Sequence, residues 1–151
     1  MKIIKLLKDK IKEVSIYSKD KSNLHGEVFT PEYLIKEMCL SLPEETWSNP
    51  NFRFLDPCCG KGNMPIILIQ GLMNGLKEQI PNDYKRYKHI IENQIYMCEL
   101  QKESAQIINS IFNIENAFEL NLYIGNFLTM PDFFDLPYQE RFIKYPENCI
   151  F

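Results

Sequence analysis

Phe52-Arg53-Phe54-Leu55-Asp56-Pro57-Cys58-Cys59-Gly60-Lys61-Gly62-Asn63, followed by the apolar run from Met64 to Leu76, is the stretch that decides the fold. Phe52–Leu55 is a short aromatic and aliphatic run with the composition of a strand. Asp56 to Asn63 holds a proline and two glycines, the residues of a turn. Met64 to Leu76 is apolar nearly all round, which predicts a buried helix. Inside it, Gly71 and Gly75 at a four-residue spacing predict close packing against a neighbouring element. Strand, glycine turn and buried helix together form the first half of a βαβ unit.

The flanking sequence extends this pattern. Ile95–Cys98 reads as a second strand ending at Glu99, and Leu122–Ile124 as a third ending at Gly125-Asn126-Phe127. Between them, Ala105, Ile108, Ile111 and Phe112 fall at helical spacing within Gln101–Asn113. Lys77 to Lys88, with Pro81, Asn82 and Asp83, reads as a polar excursion. Upstream, His25 to Phe29 reads as a turn into a short extended piece. Thr30 then suits a helix N-cap, with Pro31 at the first helical position and Glu32 beside the positive end. Leu34, Ile35, Met38 and Leu42 make one apolar stripe, and Pro43 stops that helix. Glu44 to Asn51 reads as polar loop. Alternating helices and strands predict an α/β fold with parallel pairing.

Composition sets the bounds. With 151 residues, 45% hydrophobic and 25% charged, the chain is ordinary globular material with length for one core. Seventeen basic against twenty acidic residues give a net charge of −3, which excludes nucleic-acid binding by bulk charge alone. No run approaches the roughly 20 apolar residues of a membrane helix, and lysines interrupt the first eight residues where a signal peptide needs an apolar stretch. The expectation is a cytoplasmic protein, or a nuclear one in a eukaryotic host, with no membrane contact. Five cysteines without a Cys-x-x-Cys pair argue for reduced thiols and against a metal site. Residues 1–21 carry seven lysines against three acids, whereas residues 22–151 carry ten bases against seventeen acids. Ile3, Ile4, Leu7, Ile11 and Val14 lie at helical spacing, so residues 1–24 form a basic helical arm. Such an arm either touches phosphate or a membrane face, or packs on the domain with its lysines in water.

In an open parallel sheet, ligands bind beyond the carboxyl ends of the strands. The first of these ends is not a nucleoside triphosphate loop: Leu55 stands where the first glycine belongs and Gly62 where the hydroxyl belongs. A dinucleotide fingerprint is also incomplete, because Pro65 occupies the third glycine's place. An acid that closes the strand before two glycines suits a cationic ligand group, and glycines let backbone approach it. Glu99 can accept both hydroxyls of a ribose. Asn126 can read an adenine edge, with Phe127 beside it for stacking. Amine, ribose and adenine together describe S-adenosylmethionine.

Phe54-Leu55-Asp56-Pro57-Cys58-Cys59-Gly60-Lys61-Gly62-Asn63 resembles the first motif of class I adenine-N6 DNA methyltransferases of restriction–modification or viral type. Gly26-Glu27-Val28-Phe29-Thr30-Pro31 resembles their N-terminal motif. His89 to Tyr96 followed by Cys98-Glu99-Leu100 resembles their second-strand motif. Gly125-Asn126-Phe127-Leu128 resembles the third, where Asp is commoner than Asn. The resemblance spans residues 25–128 and implies a truncated Rossmann-like methyltransferase fold, with parallel strands in the order 3-2-1 and helices on both faces. It implies S-adenosylmethionine as cofactor and DNA as partner. Phe29 and Thr30 are then expected near the methionine end. Asp56 would meet the amine, with Pro57, Cys58, Gly60 and Gly62 in the loop around it. Glu99 would hold the ribose, Leu100 would cover the adenine, and Asn126 and Phe127 would meet its amine and ring. Plainer readings stand beside these: Thr30 as a helix cap, Glu99 as a solvated acid, Asn126 as a left-handed turn residue, and the vicinal cysteines as small loop-fillers.

In the resembled family, chemistry follows a fourth strand, at an acid or amide followed by Pro-Pro and an aromatic. Those groups accept the hydrogens of the adenine amine and stack on a base flipped from the duplex. This chain offers Asp135-Leu136-Pro137-Tyr138, with one proline fewer and only the eight residues 127–134 before Asp135 to supply a connection and a strand. Parallel crossovers need about a dozen residues. Asp135, Pro137 and Tyr138 are the candidate catalytic residues on this pattern, and residues 129–151 are expected to be a truncated or degenerate tail. The leading expectation is the cofactor-binding portion of a DNA adenine-N6 methyltransferase, inactive alone. The alternative is a non-catalytic cofactor-binding or interaction subunit whose open first-strand edge pairs with a separate chain.

Overall fold

The computed structural model describes residues 3, 5–7, 9, 10, 30–130 and 132–140. Phe29, the turn at residues 25–29 and most of the N-terminal arm lie outside them. Three parallel strands, β1 (Phe54–Asp56), β2 (Ile95–Glu99) and β3 (Asn121–Ile124), lie in the order β1-β2-β3, with Asp56 level with Met97 and Glu99 level with Ile124. This is the expected 3-2-1 arrangement of an α/β, Rossmann-like sheet. Five α-helices accompany it among the described residues: α1 (Glu32–Leu40), α2 (Glu45–Ser48), α3 (Asn63–Gly75), α4 (Asp83–His89) and α5 (Lys102–Phe112).

Strand alternation and the pairing register sort the side chains into two faces. Phe54, Ile95, Met97, Leu122 and Ile124 face the α-helices. There they meet Ile69 and Leu72 of α3 and Ala105, Ile108 and Phe112 of α5, all essentially without solvent exposure. Each such aliphatic side chain contributes about 1.5–3 kcal/mol by leaving water. Leu7 joins this core, and Lys10 donates its ammonium to the Ser110 carbonyl at 2.7 Å. Those two contacts fit an arm helix packed on the domain.

Tyr96, Cys98 and Tyr123 point to the opposite face. Among the described residues, two 3-10 turns, Phe127–Thr129 and Phe133–Asp135, pack there. Phe133 packs on Tyr123, and Phe134 meets Tyr96 edge-on at 5.2 Å between centroids. The two faces are therefore covered unequally. Leu55 stays 46% exposed, and among the described residues β1 pairs on one side only.

Several local expectations shift. Pro31, not Thr30, is the N-cap of α1, and no side chain caps that end; the Leu34 and Ile35 amides bond to the Pro31 carbonyl instead. The polar excursion is a helix, α4, whose Asn82 cap accepts from the Lys85 amide at 2.9 Å. Asp83 in its first turn and Lys88 and His89 in its last complement the helix dipole. A π-helical turn, Ile90–Gln94, carries the chain from α4 into β2. The Asn121 amide donates to the carbonyls of Ile91, Glu92 and Ile95, which ties this turn and the start of β2 to β3. The stretch Glu44 to Asn51 contains α2, and its Trp47 explains the two glycines of α3. A Cβ on Gly71 would lie 2.5 Å from the Trp47 ring, and one on Gly75 would strike the Trp47 carbonyl.

Candidate functional site at the strand ends

β1 delivers Asp56 to the carboxyl edge of the sheet, and the chain then leaves through Pro57 and Cys58, both exposed. The Asp56 carboxylate accepts the Cys58 amide at 3.2 Å, which holds the turn against the strand end. Gly60 and Gly62 follow with φ of +53° and +91°, a region that side chains disfavour. The Gly62 amide donates to the Cys59 carbonyl at 2.8 Å, and Gly62 then opens α3 by accepting from Ile66.

The two glycines have different reasons to be glycine. A Cβ on Gly60 would meet nothing within 4 Å, so this turn faces open space. A Cβ on Gly62 would lie 2.7 Å from the buried Phe112 ring. Gly62 is therefore demanded by the core, whereas the backbone at Gly60 is open.

Both neighbouring strand ends are tied to β2. The Cys59 amide bonds the Cys98 carbonyl at 3.0 Å, and the Gly125 amide bonds the Glu99 carbonyl at 2.8 Å. These bonds bring Asp56, Glu99 and Asn126 to one edge. Glu99 is 7% exposed and accepts the Gln101 amide at 2.7 Å, so it is not a solvated strand-end acid. Leu100 beside it is 70% exposed, an apolar surface held in the open. Asn126 has φ of −76° and is not left-handed; Gly125 supplies the unusual backbone, at φ +154°. The Asn126 oxygen accepts the Leu128 amide at 3.0 Å, which leaves one lone pair and the NH₂ group for a further partner. Phe127 is half-buried and packs toward Cys98, Tyr123 and Phe133. Thr30 is half-buried where the chain enters α1.

The electrostatics at this edge are acidic. Burial pushes the Asp56 carboxyl above its ordinary range, tempered by the bond from the Cys58 amide. Burial also pushes the Cys59 thiol far up, and Asp56, Glu99 and Cys98 add to that. Cys98 is pushed up to about 12 by burial first, then by Cys58 and Asp56. Two buried carboxylates repel a phosphate and attract an ammonium group or hydroxyl donors.

Asp135, Pro137 and Tyr138 follow a segment that packs on the less covered face of the sheet. After Asn126 the chain crosses the less covered face, with Met130 beside Cys98 and then Phe133 and Phe134 on Tyr123 and Tyr96. Asp135 is exposed at the end of a 3-10 turn, Pro137 is exposed and Tyr138 is half-buried. No fourth strand beside β1 occurs among the described residues. A cleft of about 590 Å³ between α1, α2 and α3 is lined by Lys36, Cys39, Trp47, Ile67 and Gln70, and none of the strand-end residues borders it. Among the described residues, no three His, Cys, Asp or Glu side chains converge as a metal set, and no helix is long and apolar enough to cross a membrane. Cys59, Cys98 and Phe112 shape the site without having been singled out for that role in the sequence, because their signal is contact across the sheet and not local pattern.

No protein-family model matches the chain. It is similar to an uncharacterized adenine-specific methylase of Mycoplasma pneumoniae, with 31% identity over 175 aligned positions. The match takes in 95% of this chain and 40% of that protein, so the chain spans well under half the length of the relative it matches.

Proposed function

We propose that the carboxyl edge of this sheet binds S-adenosylmethionine, and that the chain is the cofactor-binding portion of a DNA adenine-N6 methyltransferase of the restriction–modification or viral kind. The observation that carries this reading is the pair of buried carboxylates, Asp56 and Glu99, on adjoining strand ends beside the open Gly60 turn. The donor set fits the group: an acid for the amine, an acid for the ribose hydroxyls, an amide and flanking apolar residues for the adenine. When bound, the cofactor supplies a methyl group activated on a sulfonium.

In this reading Asp56 holds the amine, with Pro57, Cys58, Gly60 and Gly62 forming the turn around it. Glu99 orients the ribose. Leu100 and Phe127 flank the base, and Asn126 takes its amine. Phe29 and Thr30 approach the methionine end. The binding portion runs over residues 25–128, preceded by the arm at 1–24 and followed by the tail at 129–151. The similarity to an adenine-specific methylase supports adenine in DNA as the substrate.

The segment leading to Asp135, Pro137 and Tyr138 packs Phe133 and Phe134 against Tyr123 and Tyr96, and no chemical step is assigned to it. The groups that activate the adenine amine then come from elsewhere. Among the described residues β1 pairs on one side only, which supports a partner strand along that edge, since an unpaired edge invites pairing. A non-catalytic cofactor-binding subunit working beside a separate chain would use the same edge. In either case the proposed location is the cytoplasm, or the nucleus of a eukaryotic host.

Calorimetry with S-adenosylmethionine and S-adenosylhomocysteine tests the binding. Glu99→Ala removes hydrogen bonds to a charged group, worth about 1.5–3 kcal/mol, or roughly ten- to a hundredfold in affinity. A folded wild-type protein that binds neither ligand, or a variant that binds equally well, overturns the proposal.

A further inference from the structure

We infer that Cys59 is a positioning residue for the ligand: its two bonds to the Cys98 carbonyl set the spacing between the Asp56 and Glu99 carboxylates. The inference deepens the cofactor-binding reading and rests on it.

The bonds are unusual in coming from one residue to one acceptor. The Cys59 amide donates to the Cys98 oxygen at 3.0 Å, and the Cys59 thiol donates to the same oxygen at 3.1 Å. A carbonyl oxygen has two lone pairs, so Cys59 engages both. Its own carbonyl accepts the Gly62 amide at 2.8 Å. Cys59 thus ties the glycine turn to β2 on one side and starts α3 on the other. Asp56 lies three residues before Cys59, and Glu99 follows Cys98 directly. Any rotation of the turn about its amide bond would move one acid relative to the other. The thiol bond is a second anchor that blocks that rotation.

The side chain suits the task. Cys59 is 5% exposed. Burial first, and then the nearby Asp56, Glu99 and Cys98, push its thiol pKa up, so the thiol stays protonated across the neutral range and the donor is always present. Removing the thiol leaves the Cys98 oxygen with the Cys59 amide as partner, so no buried carbonyl is orphaned. The expected loss therefore falls on positional order more than on the fold.

The test uses the full 151-residue chain as wild type, Cys59→Ala and Cys59→Ser. Serine keeps an O–H donor at the same position. S-Adenosylhomocysteine affinity is measured by calorimetry, and amide hydrogen exchange at Cys59 to Gly62 is measured without ligand. Cys59→Ala should bind about five- to tenfold more weakly and exchange about fivefold faster, the effect of one lost hydrogen bond. Cys59→Ser should restore both to within about twofold. A role confined to packing volume would not be rescued by the smaller hydroxyl. Wild-type affinity in the alanine variant, or no rescue by serine, overturns the inference. Exchange is an independent readout: unchanged exchange in Cys59→Ala overturns the positioning role whether or not the ligand binds. A wild-type protein that binds no ligand but shows the exchange pattern overturns the cofactor reading alone.

Discussion

Replacing Gly62 with alanine separates the two demands placed on the glycine turn. Gly62 has φ of +91°, and an added Cβ would sit 2.7 and 3.0 Å from two carbons of the Phe112 ring. Phe112 is 0% exposed and packs within the main core, so the ring has no free direction in which to move. The left-handed backbone costs about 1–2 kcal/mol for a residue with a side chain. Overpacking a filled core adds about 1–3 kcal/mol. The sum, about 2–5 kcal/mol, is a large share of the roughly 5–15 kcal/mol that holds a domain folded. Gly60→Ala is the internal control. Its φ is +53°, but the new Cβ meets nothing, so it suffers the backbone term alone. Urea denaturation should therefore show Gly62→Ala less stable than Gly60→Ala by about 1–3 kcal/mol. In a Phe112→Leu background the Gly62→Ala penalty should shrink toward the Gly60→Ala value, because the two positions are coupled. Ligand binding should show the reverse order among folded samples: Gly60→Ala blocks the open approach, and Gly62→Ala does not. Equal stabilities for the two single variants, or no coupling in the double-mutant cycle, would refute the assignment of Gly62 to the core.

Gly75→Ala should destabilise by about 1–3 kcal/mol in urea, since its Cβ meets the Trp47 backbone carbonyl, while Gly71→Ala should cost less because it meets the half-buried Trp47 ring. Asp56 predicts two pH effects of opposite sense. Its folded pKa is raised by burial, so its contribution to stability is complete at low pH and is lost as pH rises through the folded value. Affinity for a ligand amine should instead rise with pH over that window as the carboxylate forms; Asp56→Asn should flatten both profiles, and calorimetry and urea titrations across the acid range check this. Finally, the chain alone should transfer no labelled methyl from cofactor to adenine-containing DNA, single- or double-stranded. Transfer that disappears in Asp135→Ala would restore Asp135, Pro137 and Tyr138 as an active site.

Short-range pattern was enough for the elements and for the acids at their ends. Three short apolar runs at strand length, and the helical stretches at residues 31–42, 64–76 and 101–113, are patterns that each segment carries within itself. The turn at Gly60 and Gly62 is equally local, because positive φ is a property of single residues. The helix α4 was also legible in principle: Asn82, Asp83 and the basic residues up to His89 are ordinary start and stop signals, obscured here by low apolar content. The tie between the π-helical turn and β3 was not legible, since it runs from Asn121 to carbonyls about thirty residues away in sequence.

The site divides along the same line. Asp56, Glu99 and Asn126 could be named from their places after strands. That Glu99 is buried, that Gly62 answers to Phe112 and Gly60 to open space, and that Cys59 locks onto Cys98 are results of long-range packing. So is the position of Asp135. Its sequence resembles a catalytic stretch, but Phe133 and Phe134 immediately before it pack on Tyr123 and Tyr96 in a 3-10 turn and form no strand. Burial of apolar area is non-directional and depends on what else is exposed. A sequence can therefore state which residues will leave water, but only the assembled sheet decides which face receives them.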